Sequence, residues 1–154
     1  MKNIEKLKTG VLPIQEIKKA LDSRIIQSQI SIDDNQLQPA SLDLRLGKRA
    51  WRLQASFLPG KKCKVIEKIP KFALHELNLK GGAVLEKGCV YLVELQERLN
   101  FPEYISGVAN PKSSIGRLDV FTRLITDYSQ EFEIIKNGYK GPIYAEISPR
   151  TFSI

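Results

Sequence analysis

The sequence is poor in the side chains that most metal and nucleophile sites use, with one histidine and two cysteines. Cys63 and Cys89 lie far apart and form no Cys-x-x-Cys pair, which argues against a disulfide framework and a zinc knuckle. His75 is followed directly by Glu76, so the His-x-Glu and Pro-Cys-x-x-Cys motifs of zinc-dependent base deaminases are absent. We therefore predict a zinc-free protein in which His75 is structural and both thiols are ordinary and partly buried.

Two common phosphate motifs and long apolar runs are also missing. The sequence contains neither GxxxxGK[ST] nor GxGxxG, so any phosphate must be held in another way. No run approaches the ~20 apolar residues that cross a bilayer, and the first ten residues lack the apolar centre of a signal peptide. The 154 residues, 42% of them hydrophobic, are predicted to form one cytoplasmic domain over 1–154 with no membrane segment.

The charge is strongly positive. There are 24 Lys and Arg against 17 Asp and Glu, a formal net charge of +7. This excess indicates either an anionic partner or a merely basic, soluble surface. The most basic stretch, Lys61 to Lys71, is interpreted as a solvated loop.

The hydrophobic pattern predicts one helix followed by many strands. Ile14, Ile17 and Leu21 recur at helical spacing within Leu12 to Asp22, and Pro13 suits a first turn. The remainder consists of short β-favouring runs separated by Gly, Pro and Asn turns. The predicted strands are Ser41 to Leu46, Arg49 to Phe57, Val90 to Glu94, Ser106 to Ala109, Val120 to Ile125 and Ile143 to Ile147. A mainly antiparallel barrel or sandwich follows.

The segment from Asn110 to Arg117 concentrates hydrogen-bond donors between two predicted strands. It holds two cations, two hydroxyls and a glycine, namely Lys112, Arg117, Ser113, Ser114 and Gly116. Cations and hydroxyls can meet phosphate oxygens, and the glycine permits close backbone approach. The segment is therefore either an anion-binding loop or a polar turn.

Glu146 is a carboxylate within the apolar, aromatic strand from Gly138 to Ile147. A carboxylate in this setting can serve as a general base that moves protons during catalysis. The alternatives are that Glu146 faces solvent or pairs with an arginine in the core.

Three motifs in this order resemble the dCTP deaminase family: Gln38 to Gly47, Lys112 to Arg117 and Gly138 to Glu146. Asn110 to Thr126 and Ala145 to Phe152 are most similar to the long, duplicated form found in alphaproteobacteria. The resemblance implies the dUTPase-like distorted β-barrel, or β-clip, with a short N-terminal helix. It also implies a homotrimer with active sites shared between subunits.

The resemblance further implies roles for individual residues. Glu146 matches the general base that activates a water for attack on C4 of cytosine, and Ser113 and Arg117 match residues that position the water and the base. Lys112 and Ser114 match triphosphate contacts, while Thr126 and Asp127 are assigned to reading the pyrimidine. The remaining nucleotide-binding residues implied are Ile115, Gly116, Tyr144 and Ala145. Mg²⁺ is expected to accompany the triphosphate of dCTP or dUTP.

The sequence departs from the family pattern at three places, one of which is an interval from Arg117 to Glu146 that is several residues longer than in short members. Lys136 to Tyr139 stands where shorter members carry Asp-Pro-Gly-aromatic, whose Asp contacts the sugar. Ile154 is the last residue, before the C-terminal lid and the second half of the long form, which suggests a shortened chain that pairs with a separate C-terminal fragment. The alternatives to dCTP deamination are therefore a non-catalytic nucleotide-binding fragment and a dUTP pyrophosphatase. Nucleic-acid binding rests on charge alone.

Overall fold

The computed structural model describes residues 10–154, with 37% strand and 17% helix. The mainly β class is confirmed. The helices are α1 (Ile14–Asp22), α2 (Val65–Phe72) and α3 (Ser113–Arg117), with a short 3-10 helix at Asp34–Gln36. The strands are β1 (Ile26–Ser28), β2 (Leu37–Gln38), β3 (Ser41–Leu42), β4 (Leu46–Leu53), β5 (Ala73–Asn78), β6 (Val90–Asn100), β7 (Gly107–Val108), β8 (Val120–Thr126), β9 (Ile134–Ile135) and β10 (Lys140–Pro149).

The strands of the described region form one large antiparallel sheet and two small ribbons. The large sheet has the order β5-β4-β6-β10-β8, and β1 pairs with the C-terminal part of β6 beside β4. The ribbons are β2-β3 and β7-β9. The path of the large sheet ends at β5 and β8, and the strands of the described region do not close into a barrel.

The interior strand β10 separates two hydrophobic clusters because successive side chains of a strand point to opposite faces. The large cluster contains Ala145 and Ile147 of β10 together with Tyr91 and Val93 of β6. The second, which we call the α2 cluster, consists of Trp51, Leu53, Phe57, Val65, Ile69, Leu92, Ile125 and Tyr144. Each fully buried Leu or Ile contributes about 1.5–3 kcal/mol, so both faces of β10 lie in stable core.

The N-terminal helix is confirmed over Ile14–Asp22, with Pro13 immediately before its first residue. Ile17 and Ala20 form its buried side. The predicted strands at Val120 to Ile125 and Ile143 to Ile147 are also confirmed, as the central parts of β8 and β10. Strong apolar alternation therefore located the strands that matter most for the candidate site.

Several predicted boundaries were wrong. Ser41 to Leu46 is divided between β3 and the start of β4, and β4 ends at Leu53 instead of continuing to Phe57. The strand predicted at Val90 to Glu94 runs on to Asn100, because β1 and β10 supply partners for its second half.

The basic stretch Lys61 to Lys71 is not a loop throughout, because it contains most of α2. Val65 and Ile69 lie one turn apart and are buried in the α2 cluster, while most of the lysines of this stretch are exposed. Glu67 Oε2 accepts a hydrogen bond from Lys64 N at 2.6 Å and so fixes the first turn. The lysine-rich composition concealed two apolar residues at helical spacing.

The two cysteines and the histidine lie on different segments of the fold, and only the burial of the cysteines was predicted. Cys63 and Cys89 are free and partly buried, as predicted. His75 lies in β5, opposite Arg52 of β4, with its side chain exposed. Within residues 10–154, none of the helices combines the length and apolarity that a membrane crossing requires.

Candidate functional site

Glu146 lies in the middle of β10, between two strands. Its Cα partners are Leu92 in β6 and Arg123 in β8, and its side chain is only 2% exposed. Tyr144 and Ser148, two residues away on either side, share its face of the sheet. The antiparallel register therefore carries a carboxylate into the interior with an arginine beside it.

Arg123 forms an ion pair with Glu146. Its Nη2 and Nε donate to the same oxygen, Glu146 Oε1, at 2.6 and 3.1 Å. Nη2 also donates to Ser56 Oγ at 2.9 Å, and the guanidinium lies 3.7 Å from the ring centre of Phe132. These contacts hold Arg123 in one orientation, so the Glu146 carboxylate is oriented as well.

Arg123 was missed from the sequence, although a core arginine had been considered as a partner for Glu146. The ion pair shows that Glu146 does pair with an arginine. The role of Glu146 in catalysis stays a prediction. The pairing of the two predicted strands contained the clue to this contact. If the two predicted strands pair antiparallel, a cation in the middle of one can face the carboxylate in the middle of the other.

The second oxygen of Glu146 has no hydrogen-bond partner among the described residues. Within residues 10–154, the buried side-chain oxygens without a hydrogen bond include Glu146 Oε2 and Ser148 Oγ. Buried polar atoms are normally satisfied, so two unpaired oxygens on one face of one strand mark this position as chemically unusual.

The donor-rich segment before β8 is a short helix at its centre, not a loop. Lys112 precedes α3, and Ser113, Ser114, Gly116 and Arg117 of α3 are all exposed. A Cβ added at Gly116 would meet nothing within 4 Å, so its small size is not required by packing within this chain. The donors therefore face solvent.

Lys112 is held by a residue from the first of the three motifs. Its Nζ lies 2.6 Å from Asp43 Oδ2, and Gln38 Nε2 donates to the same oxygen at 3.2 Å. An exposed pair of this kind contributes at most about 1 kcal/mol, so a phosphate can compete with Asp43 for the lysine. Two of the three sequence motifs thus meet at the start of α3.

The chain does not bring α3 and Glu146 onto one surface. Ile115 of α3 packs against the large cluster, on the face of the sheet that Ala145 and Ile147 occupy. Glu146 lies on the opposite face, with Tyr144 and the α2 cluster. The predicted site residues are therefore divided into two separate groups within one chain.

The remaining predicted residues also fall on different sides. Tyr144 is 2% exposed within the α2 cluster, and burial raises the pKa of its hydroxyl above the ordinary value of 10.0. Ala145 faces the large cluster and so points away from Glu146. Thr126 is buried at the end of β8, where it pairs with Ile143.

Asp127, predicted to read the pyrimidine, has a structural contact. Its Oδ1 accepts a hydrogen bond from Val65 N, the first N–H of α2, at 2.8 Å. The Asp127 backbone N–H in turn donates to the Tyr139 hydroxyl at 3.1 Å. Asp127 therefore caps α2 from the end of β8 and helps to fix that helix over the sheet.

We expect Asp127→Ala to lower the stability of the fold and Asp127→Asn to preserve or raise it. Burial raises the pKa of Asp127 above its ordinary value of 3.8, although the Val65 N–H and Lys64 lower it. The folded state thus holds this proton more tightly than the unfolded state, and the stabilisation is lost as pH rises above 3.8 through the folded pKa. At pH 7 Asn keeps the acceptor without the charge and should match or exceed the wild type, while Ala should cost about 1 kcal/mol. Urea unfolding measures both, and an equal loss in the two variants would contradict the capping role.

The described residues do not form a protein-held metal site. No group of three or more His, Cys, Asp or Glu side chains within residues 10–154 is arranged to bind a metal ion. The surface of α3 offers cations and hydroxyls, which suit phosphate and not Mg²⁺. The described residues therefore offer no set of carboxylates arranged to bind Mg²⁺ directly.

Comparisons with known proteins agree on one family. Residues 8–154 match the family model described as the 2'-deoxycytidine 5'-triphosphate deaminase N-terminal domain. A protein of Halorubrum lacusprofundi named dCTP deaminase is 29% identical over 116 residues, which are 75% of this chain and 54% of that protein. A protein of Coprothermobacter proteolyticus named dCTP deaminase, dUMP-forming, is 27% identical over 117 residues, 76% of this chain and 59% of that protein.

A solved structure is more similar still. The crystal structure of 2'-deoxycytidine 5'-triphosphate deaminase from Agrobacterium tumefaciens superposes with a TM-score of 0.93 at 52% identity. The match covers 96% of this chain and 44% of that one. The chain thus spans about half the length of the curated relatives it matches.

Proposed function

Because the chain belongs to the family of dCTP deaminase N-terminal domains, we propose that it takes part in the hydrolytic deamination of dCTP to dUTP and ammonia. The observation that carries this proposal is Glu146, a carboxylate 2% exposed whose Oε2 has no partner within the described residues. Because Arg123 occupies Oε1, Oε2 is the carboxylate oxygen left to accept a proton once substrate and water are bound. The reaction would supply deoxyuridine nucleotides in the cytoplasm.

Glu146 serves as the general base in the proposed mechanism. It accepts a proton from water as the water oxygen bonds to C4 of cytosine, and it returns the proton to the amino group, which leaves as ammonia. General base catalysis of this kind contributes about 10²- to 10⁴-fold. The step uses only groups of the chain, the substrate and water.

The α3 segment binds the triphosphate in this proposal. Lys112 and Ser114 contact phosphate oxygens, while Ser113 and Arg117 position the water and Glu146. The exposure of these donors supports the assignment, because solvent-facing cations and hydroxyls can meet an anion, with Lys112 exchanging Asp43 for a phosphate oxygen. Mg²⁺ would be held by the phosphates alone.

We further propose that the complete site forms between identical chains in a homotrimer. The division of the site residues between opposite faces of the sheet supports this arrangement, since one chain supplies Glu146 and a neighbour supplies α3. Leu118 and Phe121, next to α3, are 48% and 47% exposed and offer apolar surface for such a neighbour. The assembly would then cover the edge strand β8.

A second candidate is nucleotide binding without turnover. The ion pair between Arg123 and the buried Glu146 favours it, because it fills one carboxylate oxygen in the resting chain. This candidate predicts dCTP binding without chemistry at C4.

Incubation with dCTP and Mg²⁺, followed by chromatography of the nucleotides and an ammonia assay, tests these candidates. We expect dUTP and ammonia in equal amounts. Formation of diphosphate and dUMP as well would show that the chain acts like the dUMP-forming enzymes. A parallel incubation with dUTP as the substrate would measure this second hydrolysis by itself. No product, together with a rise in melting temperature on adding dCTP, would establish binding alone.

A further inference from the structure

A cavity of about 380 Å³ lies beside β6, between the end of β1 and a bulge in β4. The pairing partner of β6 changes here, since β1 pairs with Glu97 to Leu99 and β4 pairs with the part from Val90 to Leu95. In the bulge, Gly47 to Arg49 stand opposite Glu94 alone, and a Cβ on Gly47 would lie 2.4 Å from the Glu94 carbonyl oxygen. Glycine therefore lets the bulged backbone stay close to β6. The volume falls within the ~300–1,000 Å³ range of pockets that hold small organic ligands.

The cavity is separate from α3. Gln96 and Arg98 of β6 line it. Leu95 and Leu99, which alternate with them along the strand, belong to the large cluster, so the cavity opens on the other face of the sheet. Ile115 packs α3 against the large cluster. A ligand in the cavity is therefore out of reach of α3 in the same chain.

Positive charge dominates the lining of the cavity. Lys48, Arg49 and Arg98 line it and are exposed, against one carboxylate, that of Glu94. Arg49 Nε donates to Glu76 Oε1 at 3.2 Å. The side chains of Lys48 and Arg98 form no hydrogen bond or ion pair with a described residue. An anion can therefore bind these two cations without breaking a contact of the chain.

The rim of the cavity opposite β4 is held in place by the core. Arg45 donates from Nη2 to the carbonyl oxygen of Ile30 and from Nη1 to that of Ser31, both at 3.1 Å. The buried Glu97 accepts from Arg45 Nε at 3.0 Å and so fixes the guanidinium. Gln29 and Ile30 line the cavity, and Ile30 is 47% exposed. The rim thus presents an amide and an apolar side chain near the cations.

We propose that this cavity binds a nucleoside monophosphate, with the phosphate on Lys48 and Arg98 and the nucleoside against Gln29 and Ile30. A phosphate ester carries nearly two negative charges at pH 7, which match the two unpaired cations. The cavity also has room for an organic group beside the phosphate. Arg49 can exchange Glu76 for a phosphate oxygen. The site does not depend on the proposed deamination, which uses α3 and Glu146.

Trp51, the single tryptophan of the chain, provides a signal for occupancy of the cavity. The Arg49 guanidinium lies 4.8 Å from the centre of its ring, and Trp51 Nε1 donates to Glu76 Oε2 at 3.2 Å. Because a bound phosphate changes the contacts of Arg49 and Glu76, the fluorescence of Trp51 should change as the cavity fills.

Titration with dUMP, deoxyuridine and inorganic phosphate at constant ionic strength tests the proposal. We expect a saturable change with dUMP, at lower concentration than with either of its parts. Lys48→Gln and Arg98→Gln should each weaken dUMP binding by roughly 10-fold or more, because each removes a charge-assisted hydrogen bond. Isothermal titration calorimetry measures the same binding without relying on Trp51, and the melting temperature shows that each variant is folded.

Lys112→Gln is the matched control, because Lys112 is also an exposed lysine but lies at α3. It should leave dUMP binding and the fluorescence change as in the wild type. Loss of both in Lys112→Gln, with full binding in Lys48→Gln and Arg98→Gln, would place dUMP at α3 and overturn the cavity site.

The other outcomes are equally distinct. No dUMP binding by either method would overturn the proposal, and so would equal affinities for dUMP and inorganic phosphate, which would leave the nucleoside without a role. Ammonia release from dCTP is measured separately, so failure of the cavity site leaves the proposed function standing. Failure of the proposed function likewise leaves dUMP binding in the cavity to be judged by its own titration.

Discussion

Glu146→Gln is expected to abolish ammonia release from dCTP, by about 10²- to 10⁴-fold, while dCTP binding is retained. The amide can still accept from Arg123 in place of Oε1, so the core contact survives. What is lost is the charge and the oxygen that takes the proton. Steady-state ammonia release measures the first effect, and the rise in melting temperature with dCTP and Mg²⁺ measures the second.

Glu94→Gln provides the control for this experiment. Glu94 is partly buried in β6 opposite Tyr144, close to Glu146 in the sheet but outside the proposed site. Its activity should equal that of the wild type. Full activity in Glu146→Gln would remove Glu146 from the mechanism, and loss of both activity and dCTP stabilisation would assign it to binding or folding.

The sequence predicted the elements whose hydrophobic pattern is strong. Ile14, Ile17 and Leu21 predicted α1, and the apolar runs around Leu124 and Ala145 predicted β8 and β10. Resemblance then identified the family, which the comparisons confirm. Local periodicity was sufficient here because each of these segments buries a regular stripe or face.

Features that depend on contacts between distant parts of the chain could not be predicted from local periodicity. The Arg123–Glu146 pair requires the register of β8 on β10, and the Lys112–Asp43 pair joins segments that are far apart in the chain. Asp127 was assigned to the pyrimidine through the resemblance, and its contact with α2, which its carboxylate caps, could not be predicted from the sequence. Each of these side chains takes its role from a partner that sequence spacing does not reveal.

The same limit applies to the site as a whole. The resemblance placed residues of α3 and Glu146 in one active site shared between subunits, but it did not reveal which of them a single chain brings together. Ile115 and Glu146 nevertheless lie on opposite faces of the sheet, because β8 and β10 pair directly and the face of each side chain follows from its position in the strand. A slip of one residue in that register would have reversed the faces.

Mixing two inactive variants should restore activity if neighbouring chains share the site. We expect Glu146→Gln and Arg117→Ala each to be inactive alone. In a mixed assembly, a Glu146 from the Arg117→Ala chain can meet an Arg117 from the Glu146→Gln chain. Random 1:1 assembly through a head-to-tail interface gives about one quarter of wild-type activity. Co-expression with two different tags, tandem purification and the ammonia assay measure this recovery.

The pairing of Glu146→Gln with Arg123→Gln is the decisive control, because the two residues form one ion pair and both changes affect the same half of the site. In any assembly of these two variants, every chain lacks either Glu146 or Arg123, so activity should stay absent. Recovery in the first mixture and not in the second would mean that α3 and Glu146 act across a chain boundary. If neither mixture recovers although the chains co-purify, Glu146 and Arg117 either act within one chain or do not share a site. If they act within one chain, α3 would have to move around the edge strand β8, since its present packing places Ile115 against the large cluster.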